Sequence, residues 1–290
     1  MSALFYNHLY VSGDTYRSLS YLFRVSHNSI TKIIPETCQA LYAALKDQYF
    51  QCPRTPDEWK LVADEYWRRW NFPNCVGSLD GKHIMIQQPA CSGAKFFNYK
   101  HHFSLILMAL ADANYKFLFV DIGAQGTTHS EALPFCIVAD DAFPLKYYLQ
   151  KPYPHRNLTK EQRIYNYRLS RARRCIENAF GILSNRFRVF LKPIALTPDK
   201  VDAVVMASCA LHNMLRTEAP SSYILCGDVE DHASHEITQG TWRLAGSLPA
   251  ARLSSRRSAT QSAKTLRDAF CRYFNSDEGS VPWQEDMIYQ

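Results

Sequence analysis

Cys75-Val76-Gly77-Ser78-Leu79-Asp80-Gly81-Lys82-His83-Ile84-Met85-Ile86-Gln87 is where the hydrophobic period of this chain changes from helical to alternating. The pattern predicts a strand over Val76–Gln87. Two more follow at His102–Asp112 and Lys116–Gly123, joined by the turn Asp112-Ala113-Asn114-Tyr115. Phe135–Ala139, a short apolar run closed by Asp140-Asp141, predicts a fourth strand buried on both faces. Strands in this run, with helices before and after it, predict an α/β fold.

On the N-terminal side the signals are helical. Gly13-Asp14-Thr15 predicts a start for a helix reaching Arg24, and Ser26-His27-Asn28-Ser29 caps a second running toward Leu45. The pair reads as a helix-turn-helix-like segment over residues 13–45. Asn28, Ser29, Lys32 and Gln39 are expected on its outer face, and Ile30, Ile33, Ile34, Cys38 and Leu41 on its inner one. Pro35 argues for a kink or an interruption. Such pairs read DNA or serve only as packing units, and the spacing fits both. Thr55-Pro56-Asp57-Glu58 opens a third helix whose Trp59, Val62, Ala63, Tyr66 and Trp70 recur at helical spacing, as core packing.

On the C-terminal side, Thr159-Lys160-Glu161-Gln162 is a capping-box pattern that opens a long helix toward Arg188. Another helix is expected over Pro198–Leu215. The expected division is a helical region over 1–70, an α/β domain over 75–215, and a tail over 216–290 carrying a late helix at Ala263–Phe274 as a satellite element.

Composition narrows the class. The 290 residues are 47% hydrophobic and 21% charged, which suits a globular core and excludes collagen-like, low-complexity and coiled-coil chains. The longest purely apolar run, Leu105–Ala111, is far shorter than the roughly 20 residues of a membrane helix. The first residues lack the basic start and apolar stretch of a signal peptide. Nine cysteines, an odd number with no CxxC, are expected as reduced thiols, in keeping with a cytosolic or nuclear protein.

The formal charge is +6, and its distribution says more than its sum. Residues 151–200 hold twelve Lys and Arg against three acids, so the remainder is net acidic. An arginine-rich stripe of this density fits either phosphate backbones or a solvated helix face. Arg171, Arg174, Arg186 and Arg188 are the candidate phosphate contacts.

Three carboxylates stand out by position. Asp80 lies mid-strand, where a buried charge needs a partner or a metal, and the flanking Gly77 and Gly81 leave room for a close ligand. Asp140 ends a buried strand, at the edge where open α/β sheets place ligands. Glu177 lies mid-helix beside the buried stripe Ile176, Phe180, Leu183 and Phe187, and Gly181 one turn later is expected to leave its face unshielded. Converging carboxylates suit Mg²⁺ or Mn²⁺ and hence phosphodiester chemistry, although ordinary salt bridges account for isolated acids equally well. His101-His102, the His232 and His235 pair, and His212 read as exposed, packed or hydrogen-bonded groups, since no third ligand accompanies them. Asp112 and Asp121 are left without a role.

Val76–Ile84, Ile137-Val138-Ala139-Asp140-Asp141-Ala142-Phe143-Pro144-Leu145 and Arg173-Arg174-Cys175-Ile176-Glu177-Asn178-Ala179-Phe180-Gly181-Ile182-Leu183 closely resemble the three signature blocks of PIF/Harbinger-type transposases and the domesticated nucleases derived from them. The similarity extends from about Gly13, through Asn98-Tyr99-Lys100, to Cys209-Ala210-Leu211-His212-Asn213. The resemblance implies an RNase H-like nuclease core with an acidic triad. Residue by residue, the triad falls on Asp80, Asp140 and Glu177 as catalytic and metal-binding groups, with Asp141 the rival for the second place. It also implies a divalent cation, DNA as substrate, attack by water and then by a 3′-hydroxyl, nuclear localisation, and a separate Myb-like DNA-binding partner. Self-association is a further expectation.

Two departures accompany the resemblance. Only twelve residues, Gly123–Pro134, are available for the crossover before the fourth strand, so the first core helix of that fold is expected to be missing. Met1 falls close to the helix-turn-helix, so an upstream helix is expected to be absent as well. Both features keep open a second reading: a DNA-binding or protein-interaction remnant without turnover.

Overall fold

The computed structural model describes residues 8, 12–122, 135–231, 234–251 and 258–289. Among the described residues three α-helices precede the sheet: α1 (Tyr16–Phe23), α2 (His27–Tyr49) and α3 (Pro56–Trp70). Each starts where a side chain can satisfy an orphan N–H. Thr15 accepts from Ser18 N at 3.1 Å, Ser26 from Ser29 N at 3.1 Å, and Thr55 and Glu58 form a reciprocal capping box. Arg24, at φ 53°, turns the chain between α1 and α2. α2 runs through the buried Pro35 without interruption.

The sheet follows as β1 (Cys75–Met85), β2 (Ser104–Ala111), β3 (Phe117–Ile122), β4 (Cys136–Ala139) and β5 (Leu149–Gln150), in the spatial order β3-β2-β1-β4-β5. β1, β2 and β3 form an antiparallel meander, whereas β4 pairs parallel to β1 and β5 parallel to β4. Strand β5 has no separate signal in the sequence because it is two residues long. The meander turn is held by Asp112, whose Oδ1 accepts from Asn114 N at 2.8 Å and Lys116 N at 2.9 Å. Burial raises the Asp112 carboxyl above the usual range. The shortened crossover at Gly123–Pro134 lies outside the described residues, and so does His232.

Among the described residues five further α-helices and a small hairpin follow: α4 (Lys160–Arg186), α5 (Pro198–Glu218), α6 (Pro220–Tyr223), β6 (Val229–Glu230) paired with β7 (Ile237–Thr238), α7 (Trp242–Ala245) and α8 (Gln261–Phe274). A capping box of Thr159 and Gln162 opens α4. None of the described helices is long and apolar enough to cross a membrane.

The core does not follow the expected division of the chain. Tyr16, Leu19, Ile30, Ile34 and Cys38 of α1 and α2 share one cluster with Leu105 and Leu107 of β2, Ile176 and Phe180 of α4, and Val201 and Val204 of α5. The N-terminal helices are therefore welded to the α/β unit. Phe270 and Phe274 of α8 pack on Phe72 at ring distances of 5.4 and 5.1 Å, within a cluster that includes Tyr66 and Tyr165. The late helix is core, not a satellite. All nine cysteines are free thiols and seven are buried.

Candidate active site

The parallel pairing of β1 with β4 decides which acids meet. Leu79 is in register with Ala139, so the next residues, Asp80 and Asp140, stand side by side where β4 ends. Alternation fixes the face. Ser78 Oγ donates to Ala172 O of α4 at 2.8 Å, and two residues on, Asp80 shares that face. Lys82 follows on the same side, 5.8 Å from the centre of the Phe180 ring. On β4, Val138 is buried beneath Leu169, Ala172 and Cys175, and Asp140 continues its side.

Each carboxylate is held locally. Asp80 is 6% exposed; its Oδ1 accepts from Gly81 N at 2.8 Å, and its Oδ2 lies 2.8 Å from Lys82 Nζ. Asp140 Oδ1 accepts from Ala142 N at 3.0 Å. Burial raises the Asp140 carboxyl above its ordinary range, the neighbouring Asp80 charge adds to the rise, and Arg173 opposes it. Asp141 is exposed. Lys151 Nζ donates to the carbonyls of Asp141 and Phe143, pinning the turn that follows Asp140. In the sequence Lys151 is one more member of a basic stripe, and nothing local marks this role.

Glu177, on α4, forms an i,i+4 ion pair with Arg173, the same arginine whose charge acts on Asp140. Two cations, Lys82 and Arg173, thus stand among the three acids. Glu177 also lines a cavity of about 320 Å³ together with Lys82, Phe180, Gly181, Trp242, Arg243, Ser247 and Leu248. The expectation that Gly181 leaves this face open is corrected. A Cβ at Gly181 would run into the Trp242 ring, so the glycine is the seat of that indole. Trp242 Nε1 donates to Asn178 Oδ1 at 3.2 Å.

The donor set of Asp80 and Asp140 is all oxygen, and Asp140 already carries the repulsion of its neighbour, which a hard cation relieves. The pair fits such an ion. Among the described residues, however, no group of three or more His, Cys, Asp or Glu side chains lies close enough to hold a metal, and Glu177 is turned onto Arg173.

The arginine stripe divides. Arg171 and Arg174 are 3% and 8% exposed and converge on Glu230, with Arg171 Nη2 at 2.7 Å from Oε1 and Arg174 Nη1 at 3.2 Å from Oε2. Arg186 donates to the carbonyls of Ser222 and Tyr223 and stacks over the Tyr223 ring. Arg171 and Arg174 are corrected from phosphate contacts to internal ties, since both are buried on Glu230, while Arg186 is half-buried and tied to the backbone. Arg188 is exposed, as are Asn28, Ser29 and Lys32 on α2.

The histidines read as packing groups behave so. His212 sits between Tyr223 OH (3.0 Å) and Tyr115 O (2.7 Å), and burial lowers its pKa to about 4, leaving a neutral ring. His235 stacks on Trp283 at 3.5 Å and contacts Glu230.

Residues 79–213 match the family model of the DDE superfamily endonucleases. The match takes in most of the sheet and all three acids, Asp80, Asp140 and Glu177. Over 193 residues the chain is 25% identical to a Protein ALP1-like of Arabidopsis thaliana, covering 55% of this chain and 47% of that protein. It is 22% identical over 251 residues to the Arabidopsis thaliana protein antagonist of like heterochromatin protein 1 (75% and 60% covered), and 21% identical over 224 residues to the putative nuclease HARBI1 of Xenopus laevis (71% and 64% covered). The chain thus spans between about half and just under two thirds of the length of these relatives. No solved structure matches it. The chain is thus similar over residues 79–213 to the DDE superfamily endonucleases, and over longer spans, at 21–25% identity, to these relatives.

Proposed function

We propose that this protein is a divalent-metal-dependent DNA endonuclease whose catalytic groups are Asp80, Asp140 and Glu177, on an RNase H-like core. The observation that carries this reading is the register of β1 on β4. It sets two buried-face carboxylates side by side under the helix that bears the third. The sheet order β3-β2-β1-β4-β5, with only β2 antiparallel to β1, agrees with that core.

Asp80 and Asp140 would hold Mg²⁺ or Mn²⁺, and Glu177 would join them on leaving Arg173. When bound, such an ion supplies the Lewis acidity that lowers the barrier to phosphodiester hydrolysis. Lys82 and Arg173 keep the three acids from repelling one another while DNA is absent. Lys151 holds the turn that aims Asp140. Arg188, and Asn28, Ser29 and Lys32 on the exposed side of α2, are proposed DNA contacts. Nuclear localisation, self-association and a Myb-like partner belong to the same reading.

A second reading has an observation of its own. Asp80 and Glu177 are each paired with a cation inside the chain, the arrangement of a site that no longer turns over. The relative named as an antagonist of a heterochromatin protein suits a binding role. Mn²⁺-dependent nicking of supercoiled DNA separates the two. Nicking by the parent and not by Asp80→Asn or Glu177→Gln supports the nuclease, whereas a well-folded parent that binds DNA without nicking it supports the remnant.

A further inference from the structure

The residues that match the family model end at 213, yet the wall of the cavity beside Glu177 is built by a later part of the chain. Three observations tie the segment 242–251 to the site. Strand β4 pairs only with the first part of β1, and beyond Leu79 the edge of β1 takes a new partner. His83 N donates to Pro249 O at 2.8 Å, Ala251 N donates to Gly81 O at 2.9 Å, and Lys82 bridges antiparallel to Ala250. The segment is thereby stitched to β1 immediately after Asp80. At its other end Trp242 fills the notch at Gly181, one turn beyond Glu177, and Leu248 is buried.

The cavity between these two anchors is polar and carries two cations of different kinds. Lys82 enters from β1 as a compact charge with three donors, one of them on Asp80 Oδ2 at 2.8 Å. Arg243 enters from the segment, its guanidinium over the Trp242 ring at 4.3 Å and its Nε and Nη2 on the buried Asp228. A guanidinium has five N–H donors, more than Asp228 takes, and Arg243 is exposed and lines the cavity. A lysine and an oriented arginine facing one cavity next to a carboxylate cluster suit a group that is anionic, tetrahedral and rich in acceptor oxygens.

Resting on the nuclease reading, we infer that the segment 242–248 is part of the substrate site, with Lys82 and Arg243 together holding a phosphate of the DNA strand next to the acidic residues. Ser247 lines the same cavity and is exposed, so its side chain stands where that phosphate would pass.

The test is binding of a fluorescently labelled DNA duplex by the full chain, followed by anisotropy over a range of salt in Ca²⁺, with nicking in Mn²⁺ measured alongside. Arg243→Gln and Lys82→Gln are each expected to lower the slope of log K against log salt by about 0.9, the value for one phosphate contact, and to weaken binding alike on unrelated sequences. Among the described residues the Ser247 side chain makes no hydrogen bond, and the charge added by Ser247→Glu is expected to weaken binding while the protein melts as the parent does. Arg272→Gln, an exposed arginine on α8, is the control and keeps both slope and affinity. Unchanged slopes in Arg243→Gln and Lys82→Gln, or unchanged binding by Ser247→Glu, in a parent that still binds and nicks DNA overturn this inference and leave the nuclease reading standing. A drop in affinity of Arg243→Gln with the parent's slope and a lower melting temperature assigns Arg243 to the fold alone, and likewise overturns it. A parent that binds no duplex removes both.

Discussion

Replacing Glu230 by Gln isolates the charge that ties the hairpin β6–β7 to α4. Glu230 lies against two guanidiniums, at 2.7 Å from Arg171 and 3.2 Å from Arg174, and the three side chains are 9%, 4% and 10% exposed. Glutamine has nearly the same shape but no charge, so two adjacent buried cations lose the counter-charge they share while keeping most of the packing. Removing one partner from a buried ion pair costs about 3–5 kcal/mol, because the charge left behind stays desolvated. Against a total stability of about 5–15 kcal/mol, this is a third or more of the reserve. Urea unfolding of parent and variant, fitted with a common slope, reads the difference directly. The same geometry says that Arg174→Gln leaves the salt slope of DNA binding where it was. A loss below about 1 kcal/mol in Glu230→Gln, the range of exposed pairs, together with a lower salt slope in Arg174→Gln would refute the reasoning and return the stripe to the DNA.

Further outcomes follow from the same packing. Gly181→Ala gains about 1 kcal/mol of helix propensity but forces Trp242 from its seat, an overpacking cost of about 1–3 kcal/mol, so hydrogen exchange at His83 and Ala251 N–H is expected to quicken; unchanged exchange would show the segment is held without the indole. His212 has a folded pKa near 4 against about 6.5 unfolded. The unfolded chain binds the extra proton, so this residue's contribution is complete above pH 6.5 and is lost as pH falls toward 4, by about 3 kcal/mol in all. His212→Asn should flatten the stability profile in that window, and an unchanged profile would refute the buried neutral ring. Mn²⁺ is expected to raise the melting temperature of the parent but not of Asp80→Asn, and equal shifts in both would place the ion elsewhere.

Much of this arrangement is written locally. The caps at Thr15, Ser26, Thr55 and Thr159, the alternation through β1 and the turn at Asp112 are each set by residues within four positions, and helices and strands begin close to where those signals place them. The acids stand out for the same reason: Asp80 interrupts a strand and Asp140 ends one. What the sequence leaves hidden is partnership at a distance. Arg171 and Arg174 meet Glu230 across 59 and 56 residues, and no local pattern distinguishes a guanidinium awaiting a buried carboxylate from one awaiting a phosphate. Gly181 looks vacant until Trp242, 61 positions on, is folded against it. The helical regions at either end read as separate because each has its own caps, whereas their apolar faces close the same core.

Comparison of Asp140→Asn with Asp141→Asn in Mn²⁺-dependent nicking tests the central claim most directly. The two acids are adjacent, yet Asp140 shares a face with Asp80 and feels its charge, while Asp141 is exposed. The account predicts that Asp140→Asn abolishes nicking in a protein that melts as the parent does, and that Asp141→Asn nicks at close to the parent's rate. Nicking that survives in Asp140→Asn, or that disappears in Asp141→Asn alone, would contradict it.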